Sequence, residues 1–205
     1  MSGWLEVTLI GMVFENREEE GVVSDDENDD RFNFYTTTVD MDKDMYQDIL
    51  SIATDTSGEI ADYPGAALIF VAQPISPSMT AASMKTGGNA LGLPQNTNMM
   101  CPSPLPLLPY PNTNTSTDVN FAVAWENSTH DKPVIETCKR GIQRIARAAG
   151  AKGLARDFLF MNDAGDDQDV LGSYGSANRA SLRKVGREVD PHSVFQILAK
   201  GGFKL

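Results

Sequence analysis

The chain holds only two cysteines, Cys101 and Cys138, and two histidines, His130 and His192. Two thiols so far apart build no disulfide framework, so reduced thiols in an intracellular, cytoplasmic protein are expected. Histidines so placed supply no Ser–His–Asp or Cys–His set. Positive charge is also scarce. Lys and Arg number 17 against 28 Asp and Glu, a net charge of −11 at neutral pH. That balance argues against nucleic acid and anionic membranes as partners. No run approaches the roughly 18 apolar residues that a membrane span needs. The opening Met1–Phe14 is apolar but contains Glu6, and it lacks a basic start and a small-residue cleavage site. It is not read as a secretory signal.

What is present fits a globular protein. Of 205 residues, 41% are hydrophobic, enough for one domain with a real core. Residues 1–30 are read as an amino-terminal strand followed by a disordered acidic loop. The strand lies in "WLEVTLIGMVF" (4–14). The loop, "ENREEEGVVSDDENDDR" (15–31), sets nine acidic residues against two arginines. Like charges this dense resist collapse. The loop lacks the spacing and glycine of an EF-hand, so no metal is expected.

Residues 31–205 are read as the main domain. "RFNFYTTTV" (31–39) is aromatic and β-branched, a strand. Asp40 is placed to cap a helix carrying Met41, Met45, Ile49, Ile52 and Ala53 on one face, with 57–65 as loop. "AALIFVAQP" (66–74) reads as a buried strand ended by Pro74. Residues 75–118 show little pattern and many prolines, and are expected to cover a site. In "DVNFAVAWEN" (118–127), Phe121, Val123 and Trp125 share one strand face. Asp131 and Pro133 open a helix lined by Val134, Ile135, Cys138, Ile142, Ile145 and Ala149 and ended by Gly150. "DFLFMN" (157–162) is read as a short strand. Residues 176–189 form a helix with Leu182, Val185 and Val189 inward. Asp190 caps a final turn pinned by Val194 and Phe195. The fold class is α+β: a βαββαβ-type antiparallel or mixed sheet with helices on one face, ferredoxin-like with additions.

Four stretches, "FNFYTTTVD" (32–40), "GGNALGL" (87–93), "MNDAGDDQDVLGSYG" (161–175) and "VDPHSVFQILAKGGFKL" (189–205), together resemble the carboxy-terminal half of fungal FAD-linked oxidases of the berberine-bridge-enzyme-like group. In that family this half is the substrate domain, roofing a flavin held by a separate amino-terminal domain. The resemblance implies that this flavin domain is missing here, because only about thirty residues precede the matched region. His130 and His192 do not stand where the family anchors flavin, and "GGNALG" lacks a strand–turn–helix context. The Asn matching Asn162 is usually followed by a Tyr near the flavin; here Asp163 follows. The run from Thr86 to Met100 has no acidic residue, whereas plant members carry a basic carboxylate there. No bound cofactor is therefore expected.

The resemblance leaves two function classes. One is a cofactor-free cyclase, Diels–Alderase-like, acting on a reactive hydrophobic polyketide or terpenoid intermediate, since family members are associated with cyclisations. Such chemistry needs a shaped cavity and a few donors. Gln73, Asn89 and Asn162 are the candidate donors, and Asp163 the candidate acid or base. Phe34, Tyr35 and Trp125 are the candidate substrate-binding residues. A one-residue shift in sheet parity exchanges Phe34 for Tyr35. Phe34 and Trp125 as core, Asn162 as a turn cap and Asp163 as a surface residue are the plainer readings. The other class is a metabolite-binding protein, or a subunit or remnant of an oxidase. Loss of a flavin domain would bare one sheet face, and a homodimer is expected to cover it.

Overall fold

The computed structural model describes residues 10–15, 31–75, 85, 88–93 and 115–205. Its strands are β1 (Ile10–Glu15), β2 (Arg31–Met41), β3 (Ala67–Pro74), β4 (Thr115–Trp125) and β5 (Ala155–Arg156). Its helices are α1 (Lys43–Ile60), α2 (Asp131–Ala151), α3 (Val170–Ser173), α4 (Ser176–Val189) and α5 (Val194–Ile197). The acidic residues 16–30, Cys101 and most of the expected cover between β3 and β4 lie outside the described residues.

The sheet order is β1-β3-β4-β2-β5, with every neighbouring pair antiparallel. β2 and β3 flank β4 and so run parallel to each other, with α1 as their crossover. That is the expected βαββαβ arrangement, extended by β1 at the β3 edge. Strand alternation sorts the side chains by face. Tyr35, Val39, Leu68, Phe70, Ala72, Val119, Phe121, Val123 and Trp125 join Met45, Ile49, Ala53, Val134, Cys138, Ile142, Ile145 and Ala149 in one core. Helices α1 and α2 thus cover one face of the sheet. Cys138 is fully buried there, and burial pushes its thiol up to about 12, which leaves it inert. No helix among the described residues is long and apolar enough to cross a membrane.

A second core gathers Ile75, Phe158, Val170, Leu171 and Tyr174, with Leu91, Leu93, Phe160, Leu182 and Phe203 against it. The Phe158 and Tyr174 rings stack at 5.8 Å.

Several local expectations are corrected. α1 begins two residues later than Asp40 would set it, because Asp42 is the cap and accepts from the Met45 amide at 2.6 Å. Met41 stays in β2, and Asp40 is a buried strand residue paired with Arg156. α1 continues through Ser57 to Ile60, both buried, where loop was expected. β4 begins at Thr115. Residues 157–162 form no strand; the apolar Phe158 and Phe160 serve the second core, and the strand lies just before them. Short apolar runs carry no period that separates these cases. Val185, Val189, Val194 and Phe195 are exposed, at 53%, 75%, 43% and 69%. The final cap itself holds: Asp190 accepts from the Val194 and Phe195 amides at 2.8 and 2.9 Å.

Candidate functional site

The sheet face away from α1 and α2 is built from the alternate residues. The register aligns Phe34, Ala122 and Ile69 in one row, Thr36, Asn120 and Val71 in the next, then Thr38, Asp118 and Gln73. The face is therefore apolar at one end and polar at the other. Phe34 is half-buried and packs edge-on to Phe32, ring centroids 4.8 Å apart, and Phe32 is 52% exposed.

At the polar end one carboxyl comes from outside the sheet. Asp163, on a 3-10 turn (Met161–Asp163), accepts at Oδ2 from Gln73 Nε2 at 3.1 Å and Asn120 Nδ2 at 2.8 Å. Beneath it Asp118 is only 1% exposed. Its Oδ1 accepts from the Thr36 hydroxyl at 2.5 Å, and Thr36 also reaches the Val119 carbonyl at 3.1 Å. Asp118 Oδ2 meets no N–H or O–H donor. Its one close acidic neighbour is the Asp163 carboxyl. Burial, opposed by the Thr36 and Asn120 side chains and reinforced by the Asp163 carboxyl, raises Asp118 to about 7. Burial also raises Asp163.

The chain after Asp163 is held firmly. Gln168 Oε1 accepts from the Thr36 amide at 3.1 Å and the Gly165 amide at 3.0 Å, and its Nε2 donates to the Thr36 carbonyl at 2.8 Å. One side chain thus takes the place of a strand neighbour along β2. Gly165 lies against the Tyr35 ring, where a Cβ would come within 2.6 Å of Cε1. Burial and a hydrogen bond to Asp167 raise the Tyr35 hydroxyl above its usual range, and Lys139 pairs with the same Asp167. These contacts fix the path that carries Asp163 over the sheet.

Of the sequence candidates, Gln73 and Asp163 meet directly, and Phe34 stands on the same face. Tyr35 and Trp125 stand on the opposite, helix-facing side, 4% and 2% exposed. Asn162 is exposed beside Asp163. The Asn89 side-chain oxygen accepts from the Leu91 and Leu93 amides at 3.0 and 3.4 Å, an Asx turn against the second core. Sequence reasoning missed Asp118, Asn120 and Thr36. The signal was there: polar residues alternating with Val119, Phe121 and Val123 in a strand that proves central.

Among the described residues no group of three His, Cys, Asp or Glu could hold a metal ion. Within the described stretch 88–93, Gly88 and Gly92 sit in irregular chain. At Gly92 (φ +70°) a Cβ would lie 2.2 Å from the Tyr174 carbonyl oxygen, so this glycine serves close packing.

No protein-family profile matches the chain. It is similar to parts of fungal FAD-dependent enzymes. An FAD-dependent monooxygenase of Emericella nidulans is 30% identical over 140 residues, 68% of this chain and 26% of that protein. An FAD-dependent monooxygenase of Fusarium proliferatum is 32% identical over 133 residues, 65% of this chain and 23% of the relative. Bifunctional solanapyrone synthase of Alternaria solani is 26% identical over 177 residues, 85% of this chain and 30% of the relative. The chain spans about a quarter of the length of the relatives it matches.

Proposed function

We propose that the sheet face opposite α1 and α2 is the floor of a substrate site for a small hydrophobic intermediate of fungal secondary metabolism, of the berberine-bridge-enzyme-like substrate-domain type. On this reading the chain folds the intermediate for ring closure as a Diels–Alderase-like cyclase, and the step uses no redox group. The observation that carries the reading is one continuous face: Phe34, Ile69, Val71 and Ala122 leading to Gln73, Asn120 and Asp163. An apolar wall holds a flexible chain in a near-attack conformer and converts lost entropy into rate. Gln73 and Asn120 each spend one amide N–H on Asp163, and half-buried Gln73 retains a second that can polarise a substrate carbonyl.

The test uses linear polyene carbonyl compounds that close spontaneously in water. The purified chain should accelerate closure and change the ratio of diastereomers. Unchanged rate and ratio would overturn the cyclase. A second reading keeps the same face as a binding surface without catalysis: a metabolite carrier or a subunit completing another polypeptide. Saturable binding of the polyene without acceleration selects it.

The reading extends to assembly and place. Exposed Phe32, Val189, Phe195, Ile197 and Leu198 are apolar surface that a second copy would cover, giving a homodimer in the cytoplasm. Light scattering at about 22 kDa would reject the dimer.

A further inference from the structure

The geometry points to a second use of this site: Asp118 and Asp163 form a proton-sharing carboxyl pair, and Asp163 shuttles a proton on ligands that carry an acidic C–H beside a carbonyl. The inference rests on the open face as a binding site, not on ring closure. It names an activity, the double-bond isomerisation of β,γ-unsaturated ketones.

Asp118 Oδ2 is buried without a donor, in a side chain 1% exposed. A bare carboxylate there would leave a buried charge without a counterion. Placing one proton on Oδ2 removes the charge and turns the atom into a donor toward Asp163. Asp163 suits the anionic role, since its Oδ2 already takes N–H bonds from Gln73 and Asn120. No cation competes. Asp40, farther along the same face of β2, is paired with Arg156 from β5. Lys139, from α2, pairs with Asp167 beside Tyr35 on the far side. The pair therefore holds one proton between two carboxyls and titrates as a unit. Its raised proton affinity agrees with that placement.

The less buried member of the pair, Asp163, does the chemistry. The Asp163 carboxylate removes a proton from the carbon between the ketone and the double bond. The C–H electron pair becomes the new C=C of a dienolate, and the negative charge moves to the carbonyl oxygen. The second N–H of Gln73 stabilises that oxygen. Asp163 then returns the same proton to the far carbon of the former double bond, and the carbonyl re-forms as the conjugated ketone. Atoms and electrons balance with no oxidant, reductant or water. The proton on Asp118 keeps the floor uncharged while the dienolate forms.

Two measurements on the full chain test this. Carbon NMR of aspartate carboxyls should show two coupled steps, with one carboxyl protonated until near neutrality. Asp118→Asn should remove that step and leave a single, uncoupled titration from Asp163, still raised by its burial. Thr36→Val, which removes a donor to the Asp118 carboxylate, should raise the upper step further. Both carboxyls ionised below about pH 5 would overturn the pair. The second measurement follows cyclohex-3-en-1-one in D2O. Wild type should form the conjugated isomer with a bell-shaped pH profile. Asp163→Asn should lose about a hundredfold or more of the rate. Asp118→Asn should keep ketone binding and lose the alkaline limb of the bell. Failure to isomerise this ketone, or equal rates in wild type and Asp163→Asn, would overturn the activity. The carboxyl titration is independent of any ring-closing substrate, so it fails or holds apart from the cyclase.

Discussion

The indole Nε1 of Trp125 donates to Asp131 Oδ1 at 2.9 Å. Asp131 also takes Arg31 Nη2 at 2.6 Å, so one carboxylate joins the end of β4, the start of β2 and the first turn of α2. Trp125 itself is 2% exposed and lies in the helix-side core. Trp125→Ala should therefore cost stability, about 3–5 kcal/mol for a large buried aromatic. Trp125→Phe should keep most of the packing and lose about 1 kcal/mol for the hydrogen bond. Denaturant titration measures both. The folded fraction of either variant should bind apolar ligands like wild type, because the indole is on the wrong side of the sheet to touch them.

Stability should fall as pH rises from about 4 toward 7. Asp118 has a folded value of about 7, raised from an ordinary 3.8 mainly by burial. The folded state thus binds the proton more tightly than the unfolded chain. The contribution is fully present below the unfolded value and is lost as pH climbs through the folded one. Asp163 is shifted in the same direction. Asp167 is shifted the other way, lowered by Lys139 and Tyr35, but it is largely exposed and its effect appears at lower pH. The expected loss between pH 4 and 7 is on the order of a few kcal/mol. Asp118→Asn should flatten that slope, as read from urea midpoints at several pH values. A slope unchanged in this variant would place the sensitive group elsewhere.

Neighbouring aromatics should separate cleanly by face. Phe34 is on the open side, and Tyr35 is in the core with its hydroxyl on Asp167. Phe34→Ala should weaken binding of a neutral hydrophobic dye such as Nile red about tenfold or more, since a ring is worth about 1.5–3 kcal/mol when buried. Its effect on the melting midpoint should be small. Tyr35→Phe should do the reverse, losing about 1 kcal/mol of stability with dye affinity unchanged.

The βαββαβ order was legible because long periodic segments carry it: the Met45, Ile49, Ala53 stripe and the Val134–Ala149 stripe both face the sheet. Strand parity was not legible. Phe34 and Tyr35 are equally apolar, and only the pairing of Tyr35 with Phe121 shows which one looks at α2. The site was half legible. Gln73 and Asp163 stood out as polar residues at the end of a strand and in a loop. Their partner Asp118 did not, because its importance comes from lying in a central strand under a loop 45 positions later. Long-range placement of that kind leaves no local period. The exposed Val185 and Val189 failed for the opposite reason: α4 has helical spacing, but only Leu182 of its apolar stripe packs on the second core, and the two valines stay exposed.

A single methyl group should report how closely α1 and α2 approach. Gly141 lies in α2, and a Cβ there would stand 2.6 Å from Thr56 Oγ1 and 2.7 Å from Phe121 Cε2. Thr56 is 1% exposed and donates to the Ile52 carbonyl at 2.7 Å, so it has little room to retreat. Helix propensity alone favours alanine over glycine by about 1 kcal/mol. The crowding acts against that gain and should win, leaving Gly141→Ala about 1–3 kcal/mol less stable. Gly150→Ala, near the end of the same helix with nothing within 4 Å, isolates the propensity and should be stabilising. Thr56→Ala removes the opposing atoms and should recover part of the loss in the double variant. Positive coupling in that cycle, measured by denaturant unfolding, assigns the cost to the helix–helix contact. Simple additivity would move it to the Phe121 ring beneath.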